Sequence, residues 1–184
     1  MLDSRKIITS PSAYFADFKH SPQPPAFLPM FGYYLASFSE ELGNQVSLGR
    51  EFWPATFRAM TSAVPGALLT ALLFGVVWMY LGAKFVRGPA ALRQTVSAVG
   101  LAFFWPAVFA SFCSFLMAVT LDPFPGLAFL ILAAQLGLAI WALILSGVAV
   151  KQINTFTNMK KAFVLLWFPL VGIIAVFVAV TLNP

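Results

Sequence analysis

The sequence carries very little charge: Asp, Glu, Lys and Arg make up 9% of its 184 residues, whereas a soluble domain has about 25%. It has a single cysteine, Cys113, so no disulfide can form within the chain, and a disulfide-stabilised secreted domain is excluded. Polar tracts are absent, which excludes a disordered chain. With 60% hydrophobic residues and a mean hydropathy of +0.88, the composition predicts an integral membrane protein.

Residues that carry chemistry are also scarce. His20 is the only histidine, so a zinc or haem site with several histidines is impossible. Cys113 lies within a long apolar stretch, where a thiol usually packs without reacting. No paired nucleophile and base can be assembled, and no phosphate-binding glycine loop follows a strand. We therefore expect no catalytic residue, no cofactor and no metal, and a protein that is not an enzyme.

Four stretches contain no Asp, Glu, Lys or Arg, and each is longer than the roughly 20 residues that a helix needs to cross a bilayer. They are residues 59–83, 94–121, 123–150 and 162–184. They predict an all-α membrane protein whose transmembrane bundle occupies 59–184. The four spanning helices are expected at about 62–82, 96–119, 127–149 and 162–182.

The net charge of +5 lies entirely in this bundle region, because the first 58 residues hold five basic and five acidic side chains. Six basic residues lie in two short loops, 83–94 and 151–161, which the positive-inside rule assigns to the cytoplasm. This makes the charge an orientation signal and gives no indication of nucleic-acid binding. The same side chains are candidate contacts for anionic lipid head groups: Lys84, Arg87, Arg93, Lys151, Lys160 and Lys161.

Residues 1–58 form a separate N-terminal segment with two apolar parts. Ser10 and Pro11 resemble a helix start, which predicts an amphipathic helix at about 10–20. Its aromatic side lies either in the membrane interface or beneath the bundle. The apolar stretch 25–38 either crosses the membrane as a fifth helix, with the N-terminus cytoplasmic, or stays at the surface or re-enters, with the N-terminus outside.

Small residues predict how the helices pack, since close approach drives association in lipid. The first span has a row of small residues at every fourth position, and the third has Gly137 two residues after the polar Gln135, which we expect to hydrogen-bond to a neighbouring helix. Pro106 and Pro169 predict kinks, and a shift of 63 residues aligns their surroundings as a two-hairpin repeat. The row of small residues contains Ala63, Ala67, Ala71 and Gly75.

The order of several weak motifs resembles the Yip1-domain membrane proteins. The motifs are Ile8–Phe15, with its Ser-Pro and aromatic residues, the basic turn Gly82–Gly88, and then Ala90–Thr95, Gly137–Gly147 and Asn158–Ala162. The resemblance implies five membrane helices and a cytoplasmic N-terminus. Eukaryotic relatives are linked to Rab GTPases through a longer N-terminal region, whereas only residues 1–24 precede the first apolar segment here, as in short bacterial-type members.

These features favour a non-enzymatic membrane protein that acts by interaction, either organising the bilayer or serving as an accessory subunit of a larger complex. The alternative is a small permease or lipid-handling component with Gln135 as a polar contact. The expected partners are membrane lipids and other membrane subunits or further copies of the chain. The expected location is a bacterial inner membrane.

Overall fold

A computed structural model describes residues 6–20, 24–49, 51–120 and 125–157. Every regular element in these ranges is helical, which confirms the predicted all-α class. The elements are α1 (Lys6–Thr9), α2 (Pro11–His20), α3 (Phe27–Ser47), α4 (Phe52–Thr70), a π-helical segment (Ala71–Leu81), α5 (Gly82–Phe85), α6 (Leu92–Thr120) and α7 (Pro125–Ile153). α4, the π-helical segment and α5 form one continuous helix, Phe52–Phe85, which is named the first long helix below.

Three of the described helices are long and apolar enough to cross a membrane: Phe52–Phe85, Leu92–Met117 and Phe129–Ile153. They correspond to the first three predicted spans. The first long helix begins at Phe52, well before the predicted start near residue 62, and so runs through the predicted division at residue 58. The fourth predicted span, 162–182, lies outside the described residues.

The apolar stretch at 25–38 is part of a longer helix, α3. Pro29 stands in the first turn, where a missing backbone N–H breaks no helical hydrogen bond, and the helix continues through Glu40 to Ser47. Its 21 residues span about 31 Å at 1.5 Å per residue, close to the thickness of a hydrocarbon core. In the second half of the helix, Leu42 and Val46 pack against protein, whereas Glu40 and Asn44 are exposed.

α3 lies between the first long helix and α6, and it runs parallel to α6. The hydroxyl of Tyr33 donates to the carbonyl of Val96 at 3.0 Å. Further along both helices, the hydroxyl of Ser114 donates to the carbonyl of Ser39 at 2.9 Å. Since the contacts advance in the same direction along both helices, the two ends of α3 lie towards opposite ends of the bundle.

Two glycines allow α3 and α6 to touch through their backbones. A Cβ on Gly32 would overlap the carbonyl oxygen of Gly100, and a Cβ on Gly100 would lie 2.5 Å from the carbonyl oxygen of Pro29. Only glycine fits at such a crossing, as at other close helix contacts in membranes. The glycine that would weaken an isolated helix is therefore the residue that lets α3 pack here.

The predicted row of small residues is buried within the chain. Its members face α3, where Tyr33 contacts the middle of the row and Leu42 contacts its beginning. Gly75 lies in the π-helical segment, and a Cβ there would come within 2.6 Å of the Tyr33 hydroxyl. The row therefore joins helices of one chain, and it includes Ala59 at the same spacing. Buried residues continue this spacing beyond the row, with Ala55 before it and Met79 and Ala83 after it.

The N-terminal helices close one end of the bundle. Tyr14, Phe15 and Phe18 on α2 are at most 3% exposed and pack on the start of α6 and the end of α7. Burial raises the pKa of the Tyr14 hydroxyl, so this group stays neutral in its apolar surroundings. The aromatic side of α2 therefore faces protein. The residues that receive it include Ala98, Leu101, Leu145, Ala149 and Ile153.

We expect Gly32→Ala to destabilise the protein by about 1–3 kcal/mol, because the new methyl group forces α3 away from α6. The measurement is thermal unfolding of the purified protein in mild detergent. Gly137→Ala is the matched control, since no described atom lies within 4 Å of a Cβ at Gly137. Equal melting temperatures for the two variants would contradict the close crossing.

Candidate functional site

A chain of hydrogen bonds joins three helices inside the bundle. Gln135 Nε2 on α7 donates to Ser114 Oγ on α6 at 2.8 Å, and Ser114 Oγ donates to the carbonyl oxygen of Ser39 on α3 at 2.9 Å. Ser114 is fully buried, and Gln135 is half-buried. The hydrogen bond of Gln135 thus runs to a neighbouring helix, and we name the three residues the polar relay.

A cleft of about 460 Å³ opens beside the polar relay, between α3, α6 and α7. Its volume is in the range of small-molecule sites. The polar part of its lining is Ser39, Glu40, Asn44 and Gln135. Apolar side chains continue the cleft towards the basic loops, among them Phe103, Pro106, Leu138 and Ala142. The cleft therefore has a polar mouth and an apolar interior.

The described lining residues suit the cleft to binding a ligand. Glu40 is the one charged residue among its described lining residues, and it is exposed. Ser39 Oγ donates to the carbonyl of Ala36 at 2.8 Å. No cluster of three or more His, Cys, Asp and Glu side chains suited to a metal ion occurs in the described part of the chain. The cleft offers hydrogen-bond acceptors and one negative charge.

The basic side chains that the sequence singled out lie at the opposite end of the bundle from this mouth. Lys84 lies in the last turn of the first long helix, Arg87 follows this helix, Arg93 lies in the first turn of α6, and Lys151 lies in the last turn of α7. The Lys84 ammonium donates to the carbonyl of Gly88 at 3.1 Å and lies 5.5 Å from the centre of the Tyr80 ring. Arg87 and Arg93 are exposed. Lys160 and Lys161 lie outside the described residues.

The N-terminal segment adds charge to both ends of the bundle. α1 and α2 bring Lys6 and Lys19 to the basic end. At the other end, Glu40, Glu41 and Glu51 lie near the junction of α3 with the first long helix. The charges of residues 1–58 cancel in the sequence but are separated in space, because α3 carries the chain from one end of the bundle to the other.

A buried asparagine locks the first basic loop onto the end of α7. Asn154 is 2% exposed; its Oδ1 accepts from the backbone N–H of Ala90 at 3.0 Å, and its Nδ2 donates to the carbonyl of Val150 at 3.0 Å. A Cβ on Gly88 would overlap Asn154 Oδ1. This contact brings the two basic loops together, so Arg87 and Lys151 belong to one surface.

Sequence reasoning missed Glu40 and Asn154 as site residues. Glu40 follows the apolar stretch 25–38, and it lines the cleft because α3 continues past it. Asn154 has no motif around it that marks a buried contact. Gly137, which we expected in a helix contact, is exposed, and no described atom lies within 4 Å of a Cβ placed at this position. The kink partner Pro169 lies outside the described residues, while α6 continues through Pro106.

The three long apolar helices, two of which the polar relay joins to α3, define an all-helical integral membrane protein. Comparison with known families matches residues 5–180 to the Yip1 domain. The chain therefore belongs to the Yip1-domain family, as its motifs indicated. The comparisons with curated proteins and with solved structures return no match.

Proposed function

We propose that this protein is a non-enzymatic integral membrane protein that acts by interaction, organising the bilayer or serving as an accessory subunit of a larger membrane complex. The observation that carries the proposal is the separation of polar groups. Inside the bundle, Gln135 and Ser114 are committed to helix contacts, whereas the exposed basic side chains of the described residues, apart from Arg58, gather at one end. The surfaces that remain are suited to lipids, to other subunits or to a second copy, and nucleic acid has no role in this proposal.

The outer face of the first long helix supports this function. It exposes apolar side chains along its whole length, including Trp53, which is 77% exposed, and Phe57, which is 73% exposed. Since its small-residue row is already occupied by α3, contacts with a partner helix would use these large side chains. Further members of this face are Met60, Val64, Leu68, Leu72, Val77 and Leu81.

The proposed orientation follows from the charge at the two ends. Loops 83–94 and 151–161 and helices α1 and α2 lie on the cytoplasmic side, where excess Lys and Arg are found. α3 then crosses the membrane, and its end near Leu48 lies outside. For a bacterial protein this membrane is the inner membrane. The basic end would attract anionic head groups with about 1 kcal/mol per residue near the surface.

Cysteine labelling tests this orientation. In a Cys113→Ser background, we expect Leu48→Cys to react with a membrane-impermeant maleimide added to intact cells, and Ser12→Cys to react only after permeabilisation. Both positions are exposed, so neither is shielded by the described part of the protein. Labelling of the two cysteines from the same side would contradict the crossing of α3.

Purification in mild detergent followed by mass spectrometry tests the interaction role. We expect a membrane-protein partner at near-stoichiometric amounts, because the exposed face of the first long helix is wide and apolar. Replacing Phe57 by Ala is expected to reduce recovery of the partner, and Phe85→Ala, at the other end of the same helix, is the control. A monodisperse protein that has no partner and moves a solute in liposomes would refute the proposal.

A second candidate function is a small permease or lipid-handling component. The cleft favours it, since Pro106 and Gln135 both line the same space. In this alternative, the cleft is the path, and Gln135 is a polar contact along it. The two-hairpin repeat would frame the path, with proline as the point of bending.

Gln135→Leu separates the two functions. In the second candidate, the substitution abolishes movement of a fluorescent lipid in reconstituted liposomes. If Gln135 serves only as a helix contact, its loss costs about 0.6 kcal/mol of stability, the average for such hydrogen bonds in membranes. Lipid movement is then the same in Gln135→Leu as in the wild-type protein. Gln152→Leu, at the far end of α7, controls for the general effect of adding an apolar side chain.

A further inference from the structure

The cleft is elongated, and its two ends differ in chemistry. On α7, its lining extends from Leu132 to Ala142, which corresponds to about 15 Å along the helix axis. Glu40 and Asn44 lie at one end, and Phe103 and Pro106 lie deeper between the helices. An occupant that satisfies both ends must have a polar head and an extended apolar part.

The charge of the lining restricts the head group. Glu40 brings one negative charge, and the described lining contains no Lys or Arg. Arg58 lies on the first long helix, which contributes no described residue to the lining, and the other described basic residues gather at the opposite end, around Arg87 and Lys151. A phosphate or carboxylate at the mouth would face a like charge, and the donors that the described lining offers there are neutral amide and hydroxyl groups such as those of Asn44 and Gln135, whereas an ammonium would meet an opposite charge. The other N–H groups of the ammonium would donate to acceptors such as the Gln135 amide oxygen.

The chain offers no internal counter-charge in its last predicted span. Residues 162–182 contain no Lys or Arg, so this stretch cannot form an ion pair with Glu40. The apolar part of the lining could accept any hydrocarbon, since such burial is not directional. Charge complementarity at Glu40 is therefore the feature that selects an occupant.

We propose that the cleft binds a single-chain amphiphile with a primary ammonium head group. The ammonium lies beside Glu40, and the hydrocarbon chain extends along Leu138 and Ala139 towards Pro106. This proposal rests on the second candidate function, in which the cleft is a lipid path, and it names the class of substrate. Binding does not itself require movement across the membrane, so the two are measured separately.

Native mass spectrometry of the full-length protein tests the proposal with three probes of equal chain length: dodecylamine, dodecanol and dodecanoate. The wild-type protein is expected to bind dodecylamine about fivefold more tightly than dodecanol, as for one ion pair at a water-accessible site, with dodecanoate weakest. Glu40→Gln removes this preference. Glu41→Gln, the same change on the next residue of α3 and outside the cleft lining, retains it.

Ala139→Leu tests whether the hydrocarbon chain lies in the cleft. The larger side chain narrows the apolar part, so all three probes are expected to bind at least fivefold more weakly while unfolding is unchanged. Three results would overturn the proposal: equal binding of the three probes to wild type, an amine preference that survives Glu40→Gln, or no effect of Ala139→Leu. Absence of binding by any probe would also overturn it.

A liposome assay with the same variants separates this proposal from the second candidate function. Selective binding without lipid movement would refute transport and leave the binding site intact. Movement of lipid that is equal in wild type and Glu40→Gln would support transport and refute the assignment of an ammonium amphiphile as its substrate.

Discussion

The close crossing of α3 and α6 is the contact on which the rest of this structure depends. Gly32 and Gly100 bring the two backbones together, and this places Tyr33 at the junction with the π-helical segment and sets Ser39 opposite Ser114. If the two helices separated by the width of a methyl group, the polar relay would lose its geometry. The cleft would also lose one wall, because α3 supplies the acidic side of its mouth.

The same crossing explains the distribution of charge. The N-terminal helices α1 and α2 lie near basic side chains, and the turn after α3 lies near acidic ones. Because α3 connects the two, Lys19 lies at one end of the bundle and Glu51 lies at the other. A membrane protein gains orientation from such separation, because cytoplasmic loops with excess Lys and Arg are retained on that side. The buried contact of Asn154 with the backbone of Ala90 holds the first basic loop against the end of α7.

Polar groups within the bundle divide into two kinds. Ser114 is buried and fully engaged between neighbouring helices, which is how a membrane protein usually accommodates a hydroxyl. Glu40 is exposed at the mouth of a cleft whose interior is apolar. A carboxylate is costly in lipid. Because Glu40 lies beside a cleft and takes no part in a helix contact described above, we assign it to the proposed binding site and not to the support of the bundle.

The sequence by itself determined the class and the three described long helices, because uncharged runs of 25 or more residues have few alternatives to a membrane helix. The order of its short motifs indicated the family. It also identified the small-residue row and the polar Gln135. It could not determine the extent of α3, since Pro29, Gly32 and Glu40 each oppose a membrane helix when considered locally. Only the tertiary structure decided that Pro29 falls in a first turn, that Gly32 meets Gly100, and that Glu40 faces a cleft. These properties depend on residues about 70 positions apart in the chain, and no local pattern records them.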